Sequence, residues 1–184
     1  MLYEPRQEII EHLPAMRAFA ISLTRDPTLA EDILQDAIIK AWMNFSQFEP
    51  GTNLRAWLLT ILRNTYYSEL RKRKPEAEDV EPDDPAAPAV PPLHNGVLQM
   101  RDFRRAFSKL GLENREALLL VGGMGFSYEE TAEMCGVPIG TVKSRVLRAR
   151  RQLAEELDRG KGDVADTTDA ATRAVLANRN DPLG

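Results

Sequence analysis

The stretch that most constrains this chain is residues 125–157, which read Gly-Phe-Ser-Tyr-Glu-Glu-Thr-Ala-Glu-Met-Cys-Gly-Val-Pro-Ile-Gly-Thr-Val-Lys-Ser-Arg-Val-Leu-Arg-Ala-Arg-Arg-Gln-Leu-Ala-Glu-Glu-Leu. Ser127 followed by Glu130 forms a capping box, which predicts a helix starting at Tyr128. Gly136 can adopt the left-handed conformation that ends this short helix, and Pro138 is tolerated in the first turn of the next one. Two helices joined by such a tight turn predict a helix-turn-helix.

The second of these helices has two contrasting faces. Apolar residues recur at helical spacing and should point inward: Val142, Val146, Ala149, Leu153 and Leu157. The opposite face is basic apart from one hydroxyl and one leucine: Lys143, Ser144, Leu147, Arg148 and Arg151. Lys and Arg can read guanine edges in the major groove, where an apolar side chain can meet a thymine methyl. This helix is therefore predicted to contact DNA, the alternative being a solvated basic face on an ordinary core helix.

Net charge argues against tight binding to free DNA. The formal charge is -4 and the pI is near 5.3. Residues 75–98 hold six acidic residues, six prolines and no Lys or Arg, so this stretch is predicted to be an extended, flexible linker. The rest of the chain is only slightly basic, so few phosphates would be neutralised and little counterion would be released. We expect a larger partner to hold the chain on DNA.

Composition and motif content exclude several other functions. No apolar run could span a bilayer and no signal peptide is apparent, so a cytoplasmic, membrane-free protein is expected. The single cysteine, Cys135, excludes an internal disulfide and fits a reducing compartment. His12 and His94 lack metal-ligand spacing, and phosphate-binding glycine loops, nucleophile elbows and paired catalytic carboxylates are missing from the sequence. We therefore expect no enzymatic activity, cofactor, metal or small-molecule substrate.

The N-terminal part predicts two helices, of which the second has an acidic outer face. Thr28 and Glu31 form a second capping box, which opens a helix running to about Phe45. Its predicted inner face is Ile33, Leu34, Ala37, Ile38, Ala41, Trp42 and Phe45. Its outer stripe is Asp32, Gln35, Asp36 and Ile39. An acidic stripe with an exposed isoleucine suits a basic partner helix, although Asp32 and Glu31 could simply favour the helix N-terminus.

A third helix carries cations interleaved with aromatic and amide groups. It follows a loop over residues 46–53, is capped by Asn53, and runs from Leu54 to about Lys74. Its predicted core positions are Trp57, Leu58, Ile61, Leu62 and Tyr66. The residues that project away from this core include Arg55, Arg63, Asn64, Tyr67, Arg71 and Lys72, a composition suited to single-stranded nucleic acid. The basic end of this helix could instead complement its own dipole.

The predicted fold class is all-α, with two small helical domains joined by the acidic linker. The domains cover residues 1–74 and 99–158, the linker covers residues 75–98, and residues 159–184 form a tail predicted to be disordered apart from a short helix around residues 170–177. Cys135 is expected to be a small buried filler at the turn of the helix-turn-helix.

Several stretches, in order along the chain, resemble the extracytoplasmic-function group of bacterial RNA polymerase sigma factors. They are Ala-Glu-Asp-Ile-Leu-Gln-Asp-Ala at 30–37, Pro-Gly-Thr-Asn-Leu-Arg-Ala-Trp-Leu at 50–58, Ile-Leu-Arg-Asn at 61–64, Phe-Ser-Tyr-Glu-Glu at 126–130 and Gly-Thr-Val-Lys-Ser-Arg at 140–145. The resemblance covers about residues 8–158. The amino-acid sequence of residues 51–64 and 117–122 is similar to that of the alphaproteobacterial general-stress-response subgroup.

The resemblance implies sigma region 2 and region 4 folds, and it implies partners for the surfaces above. The acidic stripe Asp32, Gln35, Asp36 and Ile39 would dock on the clamp coiled coil of the polymerase core. The −10 promoter element would be held by Phe48, Asn53, Arg55, Arg63, Asn64, Tyr67, Arg71 and Lys72. The −35 element would be read by Lys143, Ser144, Leu147 and Arg148, with Tyr128, Thr141, Arg145 and Arg150 on phosphates. Subgroup members are sequestered by an anti-sigma factor, and a response regulator with a sigma-like domain removes that inhibitor.

Two other functions remain in competition with a sigma factor. A stand-alone helix-turn-helix regulator would bind a palindromic operator by itself, which the acidic pI and the long linker disfavour. A sigma-mimicking decoy for an anti-sigma factor would tolerate a degraded recognition helix and usually carries a receiver domain, whereas the basic stripe of residues 143–151 is intact.

Overall fold

The computed structural model describes the backbone of residues 5–73 and 94–177, and the side chains of residues 8–73 and 100–159. It contains seven α-helices: α1 Pro5–Thr24, α2 Pro27–Met43, α3 Leu54–Arg73, α4 His94–Ser108, α5 Leu112–Leu118, α6 Tyr128–Cys135 and α7 Ile139–Ala177. A 3-10 turn, Phe45–Gln47, follows α2, and a π turn, Leu119–Gly123, follows α5. Within the described ranges there is no strand, so the all-α prediction is confirmed.

Helices α1, α2 and α3 pack on one another, and the start of α2 differs from the sequence prediction. The cap is Asp26, whose Oδ1 accepts from the backbone N–H of Thr28 at 2.8 Å and of Leu29 at 3.2 Å. Pro27 then occupies the first helical position, where its missing N–H costs nothing. The predicted capping box of Thr28 and Glu31 is therefore wrong. Glu31 instead pairs with Arg17 of α1 at 2.6 Å.

Two aromatic residues also lie differently from prediction. Trp42, predicted to face inward, is 53% exposed, and it lies in the last turn of α2, one residue before the helix ends. Phe48, expected to contact DNA, is buried. Its ring lies 5.6 Å from that of Phe45 and 5.5 Å from that of Trp57, measured between centroids. This aromatic cluster fixes the α2–α3 connection, so Phe48 has a packing role in the structure.

The helix-turn-helix forms as predicted. Ser127 accepts from the N–H of Glu130, and the Glu130 carboxylate accepts from the N–H of Ser127, so both halves of the capping box are present. Gly136 ends α6 in the left-handed conformation, with φ of 65°. The predicted inner face of α7 is fully buried at Val142, Val146 and Ala149.

Element bounds in the C-terminal half extend beyond those predicted. α4 begins at His94, five residues before the predicted domain boundary at residue 99, whereas residues 75–93 of the predicted linker lie outside the described residues. α7 continues to Ala177, where a mostly disordered tail was predicted from residue 159. Residues 164–177 include five alanines and contain no proline or glycine that would interrupt a helix.

The two halves of the chain share one apolar core, which the sequence reasoning did not predict. Buried residues of α1, α2 and α3 form one cluster with Leu120, Phe126, Met134 and Cys135. Arg115 of α5 is only 4% exposed and donates from Nε to the carbonyl of Ser22 at 2.6 Å and from Nη2 to that of Leu23 at 3.1 Å. These carbonyls belong to the last turn of α1, where cations and donors are favourable. α5 is thus fixed against the N-terminal half.

A matched pair of glycine substitutions tests the turn of the helix-turn-helix. We expect Gly136→Ala to lower the free energy of unfolding by about 1–2 kcal/mol, because an L-residue is strained at this positive φ. Gly140→Ala in α7 should raise it by about 0.5 kcal/mol, because nothing obstructs an added Cβ there and Ala is the better helix former. Urea unfolding followed by circular dichroism measures both. Equal effects of the two substitutions would contradict the left-handed cap.

Candidate nucleic-acid interfaces

The basic stripe of α7, Lys143, Ser144, Leu147, Arg148 and Arg151, is exposed along its whole length. Leu147 is 70% exposed, so its side chain is free to contact a partner. Arg148 donates from Nε to the carbonyl of Ser144 at 3.2 Å and from Nη2 to its Oγ at 3.1 Å, so the guanidinium lies along the helix. The stripe begins in the first turns of α7, where a recognition helix contacts base edges.

The residues expected to contact phosphates flank this stripe and differ in how exposed they are. Tyr128 and Thr141 are half-buried, Arg150 is exposed, and the ammonium of Lys143 lies 5.9 Å from the centre of the Tyr128 ring. Arg145 forms an ion pair with Glu113 of α5 at 2.6 Å, and its side chain is only 12% exposed. In this structure Arg145 therefore ties α7 to α5, and a phosphate would have to displace Glu113.

The outer stripe of α2 is presented to solvent as predicted: Asp32, Gln35, Asp36 and Ile39 are all exposed. Ile39 is 52% exposed, and Trp42 and Met43 continue the apolar part of the stripe at 53% and 78%. Acidic groups at one end and exposed apolar groups at the other form a single surface along α2. Such a surface suits a helical partner that is basic and partly apolar.

The α3 surface is different, because the C-terminal half covers much of it. The guanidinium of Arg63 donates from Nε to Oε1 of Glu116 in α5 at 2.6 Å, and the hydroxyl of Tyr67 donates to Oε2 at 3.1 Å. The Glu116 side chain has no exposed surface and that of Arg63 is 15% exposed. The guanidinium also lies 4.5 Å from the centre of the Tyr67 ring. Glu116 is thus a buried carboxylate held by an Arg and a Tyr of the opposite half.

Burial and pairing act in opposite directions on these groups. Burial raises the pKa of Glu116, whereas Arg63 and the Tyr67 hydroxyl hold it down. Burial would lower the pKa of Arg63, but the adjacent Glu116 carboxylate outweighs it and the net shift is upward. Burial, and then the charge of Glu116, raise the pKa of Tyr67. The short distance between Arg63 and Glu116 is that of a charge-assisted hydrogen bond, so we assign an ionised pair.

Two further predicted −10 residues also contact acceptors of the C-terminal half. Arg55 donates from Nη1 to the carbonyl of Met124 at 3.2 Å, and its guanidinium lies 5.3 Å from the centre of the Phe126 ring. Asn53 caps α3 by accepting from the N–H of Ala56 at 3.1 Å, and its Nδ2 donates to Oε1 of Glu130 at 3.2 Å. The predicted residues that remain exposed on α3 are Asn64, Arg71 and Lys72.

Glu116 and Arg115 were missed by the sequence reasoning. Adjacent charged residues interrupt a stretch that is otherwise apolar on one face, from Leu110 to Val121. Charged residues are almost never fully buried unless they are paired. Their position within an apolar stretch was the available signal, but their partners lie in the other half of the chain and could not be read from spacing.

In the part of the chain that the structure describes, no group of three or more His, Cys, Asp or Glu side chains could hold a metal ion. In the same residues, no helix has the length and apolar character needed to cross a membrane.

Comparison with known proteins identifies the family of the chain. Residues 9–76 match Sigma-70 region 2 and residues 100–153 match Sigma-70, region 4. The chain belongs to the sigma-70 family, in the extracytoplasmic-function group of RNA polymerase sigma factors, and it is of the general-stress-response type.

Two relatives and one solved structure illustrate the similarity. The chain is 45% identical over 149 residues to the ECF RNA polymerase sigma factor EcfG of Rhodopseudomonas palustris, covering 81% of this chain and 82% of that protein. It is 30% identical over 155 residues to the RNA polymerase sigma factor CarQ of Myxococcus xanthus, covering 84% and 89%. The sigma factor RpoE of Bartonella quintana, solved with the anti-sigma factor NepR, is 48% identical with a TM-score of 0.71, covering 83% of this chain and 96% of that one.

The thiol at the junction of the two halves gives a pH-dependent prediction. Burial, and then the charge of Glu116, raise the pKa of Cys135 to about 11. The pKa in an unfolded chain is about 8.5. Between these values the unfolded chain releases a proton that the folded chain retains, so stability falls as the pH rises. We expect the urea midpoint to drop less between pH 8 and pH 10 in Cys135→Ala than in the wild type. Equal drops would contradict the raised pKa.

Proposed function

We propose that this chain is an alternative sigma factor that directs core RNA polymerase to promoters with −10 and −35 elements, among them general stress-response genes. The observation that carries the proposal is the exposed stripe of Lys143, Leu147 and Arg148 on α7, which follows the capped helix α6 across a tight turn, on the same chain as the α2 and α3 surfaces. A DNA-reading helix alone would suit many regulators. Its combination with a docking stripe and a surface for unpaired bases suits transcription initiation.

The −35 element would be read by α7. Lys143 and Arg148 can donate to guanine edges, and Leu147 can contact a thymine methyl. Ser144 lies between them and already restrains Arg148, so the arginine would exchange its intrahelical hydrogen bonds for base contacts. Tyr128, Thr141 and Arg150 flank the stripe and would position the helix on phosphates without contributing sequence information.

The −10 element would be held by α3 and by the loop before it. Arg55, Arg63, Arg71 and Lys72 can follow the phosphates, while Asn53, Asn64 and Tyr67 can bind bases that have left the stack. Interactions with the separated strand offset the cost of unpairing and unstacking it, so no catalytic chemistry is required. Phe48 would act indirectly, by fixing the loop that ends at Asn53.

The α2 stripe would dock the chain on core polymerase. Asp32 and Asp36 supply the charge, and Ile39 supplies apolar contact at the centre of the surface. Because few cations face DNA, affinity for promoters would depend on this docking. We also propose that the chain acts in the cytoplasm, has no enzymatic activity and is held inactive by an anti-sigma factor. The RpoE relative bound to NepR supports that last point.

Substitutions in α7 test the −35 assignment. Lys143→Ala and Arg148→Ala should each weaken −35 recognition by the holoenzyme by about 1–3 kcal/mol, because each removes donors to a base edge. The control is Arg104→Ala, an exposed arginine of α4. Promoter affinity is measured by filter binding at fixed salt. Losses that are no larger than that of the control would contradict the assignment.

A charge reversal tests the docking stripe. Asp36→Arg should weaken assembly with core polymerase at least tenfold, because it places a cation where a basic partner is expected. Glu11→Arg, an exposed site on α1, provides the control with the same change in charge. Fluorescence titration of labelled chain with core enzyme gives the dissociation constants. Equal constants for the two variants would argue against docking through α2.

Reconstitution tests the proposed function as a whole. Purified core polymerase should give run-off transcripts from a general stress-response promoter only when this chain is added. If the chain instead binds duplex operator tightly at physiological salt and does not alter transcription by core polymerase, a stand-alone regulator would be the better account.

A further inference from the structure

The structure places two incompatible occupants on the same surface of α3. Asn53, Arg55, Arg63 and Tyr67 are the residues proposed to hold the melted −10 strand. Each of them contacts an acceptor in the C-terminal half: Glu130, the Met124 carbonyl and, for the last two, Glu116. Asn53 is exposed, but Arg55, Arg63 and Tyr67 are half-buried, so a strand of DNA would have to displace the C-terminal acceptors to bind these three groups.

We infer that the C-terminal half is an intramolecular competitor of single-stranded promoter DNA, with the Glu116 carboxylate occupying the phosphate- and base-binding groups of α3. This inference rests on the proposed function of α3. The free chain is then self-masked, and the α3 surface becomes available only when the two halves separate.

The chemistry of Glu116 fits this role. A carboxylate and a phosphate both present anionic oxygens, and an arginine guanidinium can donate hydrogen bonds to either. Glu116 receives the Arg63 Nε at 2.6 Å and the Tyr67 hydroxyl at 3.1 Å, so it satisfies both groups at once. The guanidinium and the ring are already stacked, as they would be beside an unpaired base.

The contacts are also of a kind that can be released. A buried ion pair recovers only part of the solvation that its charges lose, so separation returns both charges to water at modest net cost. Arg55 is imperfectly satisfied, because its buried Nε has no hydrogen-bond partner among the described residues. The shared apolar core opposes separation, so the closed arrangement should dominate until a partner stabilises the open one.

The closed and open states predict a specific effect on affinity. When the binding-competent state is a minor one, apparent affinity rises by the factor by which its population rises. Glu116→Gln removes the negative charge but keeps the shape of the side chain. It takes away the counter-ion that Arg63 has in the closed state, so it destabilises the closed state relative to the open one. It should therefore raise affinity for single-stranded DNA even though Glu116 itself contacts no DNA.

The first test measures binding of the full-length chain to a fluorescein-labelled single-stranded DNA of about 12 nucleotides, within the site sizes usual for such surfaces. We expect Glu116→Gln to bind at least about fivefold more tightly than the wild type. The control is Glu133→Gln, which changes the net charge equally at an exposed position of α6 and should bind like the wild type. A folded Glu116→Gln that binds no better than Glu133→Gln would overturn the inference.

A second test crosslinks the two halves, and it tests the inference even if Glu116→Gln does not fold. In a Cys135→Ala background, Arg25→Cys and Ser108→Cys are joined by a thiol crosslinker with a reducible spacer. The two positions are close, because Nη1 of Arg25 donates to the Ser108 carbonyl at 2.8 Å, and neither belongs to a proposed DNA or polymerase surface. We expect at least a tenfold loss of affinity for the oligonucleotide, regained on reduction. A crosslinked chain that binds as tightly as the reduced chain would overturn the inference.

Run-off transcription separates this inference from the function on which it rests. If neither the wild type nor the reduced, uncrosslinked variant supports transcription by core polymerase, the proposed function fails. If both are active and the crosslinked chain is equally active, self-masking fails and the proposed function stands.

Discussion

The ion pair between Arg63 and Glu116 is the interaction through which the two halves of this chain depend on each other. Glu116 has no exposed side-chain surface, so its charge is tolerable only because an arginine and a tyrosine of α3 donate to it. The neighbouring Arg115 reaches the opposite way, to the last carbonyls of α1. α5 has only seven residues, too few for stability in isolation, and these contacts at both sides hold it in place.

Local signals predicted local structure well. The capping box at Ser127, the left-handed Gly136 and the apolar face of α7 depend on residues within one or two turns, and all appear in the structure. Errors arose where local signals competed. At the start of α2, Asp26 and Thr28 both suit a cap, and Pro27 decides for Asp26 because proline fits the first helical position. At its end, Trp42 continues the apolar spacing of α2 but is 53% exposed in the last turn of the helix.

The packing of one half on the other could not be predicted in the same way. Periodicity identifies which face of a helix is apolar, whereas the junction combines apolar residues with polar groups that pair over long distances in sequence. Arg63 and Glu116 are 53 residues apart, and each is an ordinary exposed residue type when considered alone. The candidate site residues of α3 were predicted from their chemistry, but their exposure depends on tertiary structure.

The same chemistry explains why one surface can serve two purposes. Side chains that bind a nucleic-acid strand must offer cations, amides and aromatic rings, and these groups bind carboxylates and carbonyls equally well. An uncovered surface of this kind would bind nucleic acid without regard to sequence, because contacts to phosphates carry no sequence information. Covering α3 with Glu116, Glu130 and a backbone carbonyl limits such binding, while the exposed stripes of α2 and α7 remain available. A partner that binds α2 could therefore bind the closed chain first. Separation of the halves would then expose α3 only in the complex with that partner.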